Sequence, residues 1–396
     1  MAKQKKVTAA RHERIRSSVL RGDYELDPRF REDDGGARLK AGDRKWLAVG
    51  QPPTCVRYSN AMTSPCIDIH SHFFPAQAPN FATKFGDPSG PWVTLDDHGD
   101  GTGMMMLGDK PFRPVHSALW DAQARIKELD ANTVATQIIC ATPVMFAYEA
   151  PAEQAAYVAS TYNDLALAMC ADSGGRLKAL AQVPLQDADL SCKELTRAMR
   201  AGCVGVQIGN HVGPREMDDE GIVRFLAHCA AEGAAVLVHP WDMLGGDRLK
   251  RWMSAWTVAM PAETQFGIMA MILGGAFDQL PTDLRICFAH GGGSFPYLLG
   301  RLENAWHRRD IVRGISKHPP SHYLNRFSVD SAVFDHRALR LLIDTMGADH
   351  VMVGSDAPFP LGEEHIGDLV RNQPDVNPAD RTAILRDNAN SFFRLA

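Results

Sequence analysis

The amino-acid sequence predicts an α/β fold, a (β/α)8 TIM barrel with a small inserted lobe after its first strand. Eight short apolar, β-branched runs alternate with helical patterns, and metal-capable side chains close four of the runs. Strands that alternate with helices imply parallel βαβ units, and eight such units close most economically into a barrel.

The runs cover 66–70, 136–140, 177–183, 204–208, 235–239, 285–290, 326–330 and 350–356. Between them, 120–130, 152–170 and 222–231 carry apolar residues at helical spacing. One connection is too long for a simple loop. Residues 76–118 are rich in Gly and Pro and contain Trp92 and the run Met104, Met105 and Met106. This stretch is expected to form the inserted lobe over the barrel mouth, with the methionines in its own core.

The 396 residues exceed the roughly 250 of a typical barrel. Hydrophobic residues at 45% and charged residues at 22% exclude collagen-like, disordered and membrane-spanning classes for the bulk of the chain. No apolar run reaches the roughly 18 to 20 residues of a bilayer span, and the basic N-terminus lacks the apolar segment of a secretory signal. A cytoplasmic protein with no membrane partner is the expectation. Charge is split along the chain: up to Ala61, 14 Lys and Arg face 8 Asp and Glu, against 28 and 39 in the remainder. Residues 1–61 show little apolar periodicity and are expected to be a disordered extension, or the artefact of a start site placed too early. The folded unit, 62–396, then begins at Met62. A nucleic-acid-binding arm is the alternative for 1–61, but the acidic cluster from Glu32 to Asp34 opposes phosphate binding, so no nucleic-acid partner is expected. The eight cysteines stand singly, without a C-x-x-C pair, and read as reduced and mostly buried.

The chemistry lies at the strand ends, where barrel enzymes place it. His70 and His72 are two apart, and the period of a strand turns both imidazoles to one side. His239 closes Val-Leu-Val-His, His290 closes Cys-Phe-Ala-His, and Asp356 closes Val-Met-Val-Gly-Ser-Asp. Five metal-capable side chains at four strand ends point to a divalent metal. A catalytic zinc site keeps a position open for water, which suits three His and one Asp, although Co, Mn or Fe bind such a set as well. The remaining His is free to move protons at neutral pH, and His290 is the candidate for that acid/base role. Gly291, Gly292 and Gly293 after it lack the context of a phosphate cradle and read as space for close substrate approach.

These blocks carry a resemblance. Cys66-Ile-Asp-Ile-His-Ser-His-Phe-Phe-Pro75, Gly205-Val-Gln-Ile-Gly-Asn-His211, Val238-His-Pro-Trp-Asp-Met243, Met260-Pro-Ala-Glu-Thr264, Ala289-His-Gly-Gly-Gly-Ser-Phe295 and Gly354-Ser-Asp-Ala-Pro-Phe-Pro-Leu-Gly362 resemble the 2-amino-3-carboxymuconate 6-semialdehyde decarboxylase family of the amidohydrolase superfamily. The resemblance runs from Met62 to the C-terminus. It implies a zinc-dependent, non-oxidative carboxy-lyase with no organic cofactor, serving tryptophan (kynurenine) breakdown or the catabolism of an aromatic acid such as a nitrobenzoate. It implies one metal per subunit on His70, His72, His239 and Asp356, with His290 as acid/base. It also assigns Arg113 and Arg301 to substrate carboxylates, Arg301 from the neighbouring subunit of a homodimer. A dicarboxylate favours bidentate guanidinium partners, which agrees with that assignment.

Under the implied mechanism the metal would activate a water that His290 deprotonates; this water would add across the double bond that bears the carboxylate while a proton reaches the adjacent carbon, and loss of CO2 would then expel hydroxide and restore conjugation. Trp241, Trp252 and Phe359 are expected to wall the pocket. The run 204–212 contains no Lys and no Glu, so the bridging lysine of two-metal superfamily members is missing and a mononuclear site is expected. One residue departs from the family: Ala357 stands where Tyr commonly follows the metal Asp. That keeps a related decarboxylase or hydrolase of another unsaturated or aromatic carboxylate or lactone as the alternative.

Overall fold

The computed structural model describes residues 64–395, so the expectation for 1–61 lies outside the described residues. Eight parallel strands form one sheet in the order β1 (Cys66–Phe73), β5 (Val134–Ala141), β6 (Leu177–Ala181), β7 (Gly205–Gly209), β10 (Ala235–His239), β11 (Ile286–Phe288), β12 (Ser328–Asp330) and β13 (Val351–Met352). The last strand returns to the first. Ile69 N–H donates to the Val353 carbonyl at 2.8 Å, Asp356 N–H to His70 at 2.9 Å and His72 N–H to Ala357 at 2.7 Å. The sheet is thereby closed into the predicted barrel.

Alternation along the strands sorts the core into two layers. Ile67, Ile69, Ile138, Cys140, Leu180, Ala235, Leu237, Cys287, Ala289 and Met352 fill the barrel with Phe392 and Phe393 from the C-terminal helix. The intervening residues, such as Val206, Ile208, Val236, Val238 and Val329, pack outward. They meet α1 (Ala122–Ala131), α2 (Ala152–Ala171), α3 (Ala188–Ala201), α4 (Glu220–Ala231), α5 (Met260–Leu273), α6 (Phe295–Arg308) and α7 (His336–Met346). Four of these helices start at an Asp whose carboxylate accepts first-turn N–H groups: Asp121, Asp187, Asp219 and Asp335. Such caps satisfy donors that a helix start would otherwise leave open.

After β7 the chain forms a short ribbon, β8 (His211–Val212) and β9 (Arg215–Glu216), and between β1 and α1 it builds a three-stranded antiparallel sheet, β2 (Val93–Asp97), β3 (Thr102–Leu107) and β4 (Lys110–His116). Trp92, Val93 and Met105 are buried in the three-stranded sheet. His116 Nε2 lies 3.1 Å from the carbonyl of Pro358, which ties the lobe to the loop after β13. Of the methionine run, Met105 lies in the core, while Met104 and Met106 are partly exposed.

Four strands are shorter than the sequence predicts: the expected 177–183 and 326–330 reduce to Leu177–Ala181 and Ser328–Asp330, and two others stop before the residues that carry chemistry. The expected 285–290 and 350–356 end at Phe288 and Met352, and the residues that follow turn out of the ladder. His290 and Asp356 adopt left-handed backbone angles, with φ of 56° and 61°, which no ladder tolerates. All seven cysteines among the described residues are unpaired, five of them buried.

Candidate metal centre and active site

Plain alternation in β1 would leave His70 outside, because Ile67 and Ile69 already face the barrel interior. A bulge resolves this. Asp68 pairs with Gln137 and Ser71 with Ile139, so β1 holds one more residue than its partner over that interval. The phase of the strand changes there, and His72 comes level with the inward Cys140. Asp68 remains outside, where Gln137 Nε2 and Ser355 Oγ donate to it at 2.7 and 2.6 Å. The buried Arg125 reaches Gln137 Oε1 at 2.9 Å and also the carbonyl of His72.

His70, His72, His239 and Asp356 bring their ligand atoms within 4.8 Å of one another. It is the one such group of three or more among the described residues. His70 Nε2 and His72 Nε2 are 3.3 Å apart, and Asp356 Oδ1 is 3.0 Å from His72 Nε2. The other nitrogen of each ring faces a fixed acceptor: His70 Nδ1 meets Asp330 Oδ2 at 2.7 Å, His72 Nδ1 the Ala141 carbonyl at 3.2 Å and His239 Nδ1 the Pro240 carbonyl at 2.8 Å. With the ring proton on Nδ1, all three Nε2 lone pairs converge beside a carboxylate, and the buried Nε2 of His239 has no hydrogen-bond partner. That donor set fits a single divalent metal.

The electrostatics agree. Burial, with the crowding of His290, His70 and His72, holds His239 well below the usual imidazole range. Burial also lowers His72, although Asp356 opposes it. His70 moves up, because Asp330 and the charges of Asp356 and Asp68 outweigh its burial. Burial would raise Asp356, but its contacts to His290 and His72 hold it well below the carboxylate range. The carboxylate and at least two neutral imidazoles are therefore ready to bind a cation.

His290 stands beside this group. Its Nε2 is 3.7 Å from Asp356 Oδ2, its ring centre 4.9 Å from that of His239, and neither ring nitrogen has a hydrogen-bond partner among the described residues. The glycines after it correct the sequence reading. Gly291, Gly292 and Gly293 all have positive φ, and a Cβ on Gly293 would lie 2.2 Å from the Pro261 carbonyl while one on Gly291 would lie 2.4 Å from Val333 Cγ1. Backbone conformation and close packing require them. The space is filled by the protein itself.

Arg113, on β4, is placed over the Phe359 ring at 4.4 Å and lies 5.4 Å from the Trp256 and Phe112 ring centres. Burial lowers its guanidinium and Asp356 opposes this; it has no hydrogen-bond or ion-pair partner among the described residues. A half-buried guanidinium with aromatic walls and no carboxylate in contact is a ready anion site. Trp252 is not a wall of this pocket in the chain. It is 77% exposed and stacks on Arg251 at 4.2 Å. Trp256, one turn on, takes the position expected of it, in a wide π-turn (Ala255–Ala259) that leads into α5. Trp241 is half-buried and packs against Tyr148 and His211. Arg301 is exposed on α6, one turn from the 79% exposed Tyr297.

Sequence reasoning missed Trp256 and Asp330. The helical spacing of Trp252 and Trp256 leaves either able to face the site. Asp330 had a signal, since it ends a predicted strand as Asp356 does.

The amidohydrolase family model matches residues 67–395. The chain is 38% identical to 2-amino-3-carboxymuconate-6-semialdehyde decarboxylase of Dictyostelium discoideum over 83% of this chain and 91% of that protein. It is 32% identical to the Caenorhabditis elegans protein of the same name, over 85% and 96%. Among solved structures, Metarhizium anisopliae IDCase in apo form superposes with a TM-score of 0.72 at 23% identity, covering 84% of this chain and 97% of that one. A dihydroxybenzoic acid decarboxylase of Polaromonas sp. JS666, with bound manganese and the inhibitor 2-nitroresorcinol, gives 0.67 at 23% identity over 84% and 97%. At those identities the structural likeness concerns the fold.

Proposed function

Since the chain belongs to the amidohydrolase family, and within it to the 2-amino-3-carboxymuconate-6-semialdehyde decarboxylases, we propose that it converts 2-amino-3-carboxymuconate 6-semialdehyde to 2-aminomuconate 6-semialdehyde and CO2. The observation that carries this reading is the pairing of a four-ligand metal group with an unpartnered guanidinium held between aromatic rings. His70, His72, His239 and Asp356 hold the metal. Zinc is the metal we propose, as the three-His, one-Asp set suits it, with manganese as the competitor. When bound, the metal supplies the Lewis acidity that makes water reactive at neutral pH.

The chain's own groups do the rest. Arg113 binds a substrate carboxylate and sets the carbon–carboxylate bond perpendicular to the conjugated system, so that CO2 leaves along the overlapping orbitals. His290 holds and moves the proton through a ring nitrogen that nothing else occupies. Phe359 and Trp256 keep water from Arg113 and so strengthen its grip on the carboxylate. The second guanidinium, Arg301, acts in the neighbouring site of a homodimer. Its exposure beside Tyr297 supports that reading. Tryptophan breakdown or catabolism of an aromatic acid is the proposed setting.

One residue favours a second reading. Ala357 leaves a small, buried side chain immediately after the ligand Asp356, which suits a bulkier aromatic carboxylate. The test is a parallel assay of the metal-loaded enzyme on the muconate semialdehyde and on 2,6-dihydroxybenzoate, with His290→Asn as control. Rapid CO2 release from the semialdehyde, reduced about 10²- to 10⁴-fold in the variant with its metal retained, is expected. Turnover of the aromatic acid alone would transfer the assignment to the second reading.

A further inference from the structure

Asp330 ends β12 on the inner face of the barrel, level with Met352, and is fully buried. Its two oxygens serve different partners. Oδ2 accepts the Nδ1–H of His70 at 2.7 Å, while Oδ1 accepts the backbone N–H of Gly291 at 2.8 Å and of Ala332 at 3.1 Å. Gly291 directly follows His290, and both residues have left-handed backbone angles. For His290, which carries a Cβ, that conformation is strained and persists only where neighbours impose it.

The two other imidazoles of the metal group, His72 and His239, are oriented by backbone carbonyls, those of Ala141 and Pro240. His70 alone is oriented by a carboxylate, and that same carboxylate grips the peptide that carries the acid/base residue. We infer that Asp330 is a positioning residue that couples the two halves of the site: one oxygen fixes His70 with its proton on Nδ1 and Nε2 bare, and the other pins the 290–291 peptide so that His290 stands beside Asp356. The inference rests on the metal-centre reading and is independent of which acid is decarboxylated.

Two substitutions separate the arms. Asp330→Asn can still accept from Gly291, but its amide N–H₂ cannot accept the proton of His70 Nδ1. Asp330→Ala removes both arms. Metal affinity, read by competition with a chromophoric chelator, is expected to fall about 10- to 100-fold in both, and the visible spectrum of the cobalt-substituted enzyme to shift. Hydrogen exchange at the Gly291 amide is expected to stay slow in the Asn variant and to accelerate at least about tenfold in the Ala variant. A carboxylate that merely supported the barrel would lower thermal stability and leave the cobalt spectrum of the folded protein unchanged. Wild-type metal affinity in Asp330→Asn, or equal exchange at Gly291 in the two variants, would overturn the coupling. If Asp330→Ala does not fold, Asp330→Ser replaces it with the same expectation, and failure of all three to fold with metal present would assign Asp330 to the barrel alone. None of these readouts needs turnover, so absent decarboxylation would count against the proposed function and not against this inference.

Discussion

Three imidazoles that each commit Nδ1–H to a fixed acceptor have only Nε2 left to offer, and here all three offer it to one point beside Asp356. The same logic applies to Arg113, whose guanidinium lacks an anionic partner between Phe359 and Trp256. Arg113→Lys keeps the charge and loses the planar fork that orients the scissile bond, so steady-state kinetics are expected to show kcat/KM lowered at least about tenfold. An unchanged kcat/KM would remove Arg113 from the carboxylate site. Much of this level is legible in the sequence. His70, His72, His239, His290 and Asp356 stand out because each closes an apolar run, and strand period alone puts His70 and His72 on one side. Asp330 closes a run as well, but its role depends on which atoms face Nδ1 of a residue 260 positions away. The glycines after His290 misled, since composition does not tell space left for a ligand from space taken by Pro261 and Val333.

The elements convert that chemistry into position. The bulge in β1 changes the strand's phase so that Ile67 and Ile69 pack the barrel and His72 still faces inward, which no simple alternation predicts. Strand locations were readable because apolar runs are; the bulge was not, because it depends on pairing with β5. The left-handed turns at His290 and Asp356 end β11 and β13 early for a related reason, as they belong to contacts made after folding. The loop after Asp356 is held by Glu363, whose carboxylate accepts from Gly367 and Leu369 N–H at 3.0 and 2.8 Å. Burial raises its carboxyl above the ordinary 4.5, against those two bonds. Above pH 4.5 the unfolded chain has released this proton while the folded chain retains it, so the group's contribution to stability declines as pH rises from 4.5 through the folded value. Glu363→Gln has no such proton. Melting curves between pH 4 and 7 are expected to show the wild type losing ground to the variant as pH rises, and a pH-independent difference would contradict the shift.

At the scale of the whole molecule, a closed barrel collects side chains from β1, β10 and the turns after β11 and β13 at one mouth, and the lobe adds Arg113 from β4. Arg301 faces outward from the same chain, so its proposed work needs a second copy. Mixing Arg301→Ala with His290→Ala subunits tests this directly. Each variant alone is expected to be inactive, while random exchange in a two-fold dimer restores about a quarter of wild-type activity, since only hybrid dimers contain one complete site. No recovery would place Arg301 in its own subunit's site or outside both. Whether one metal held by His70, His72, His239 and Asp356 supports decarboxylation is tested by titrating metal-free enzyme with zinc and measuring the initial rate of CO2 release from the muconate semialdehyde. The rate should be negligible without metal, rise linearly and level off at one ion per chain. CO2 release from metal-free enzyme, or a plateau at two ions per chain, would rule out a single catalytic metal at this site.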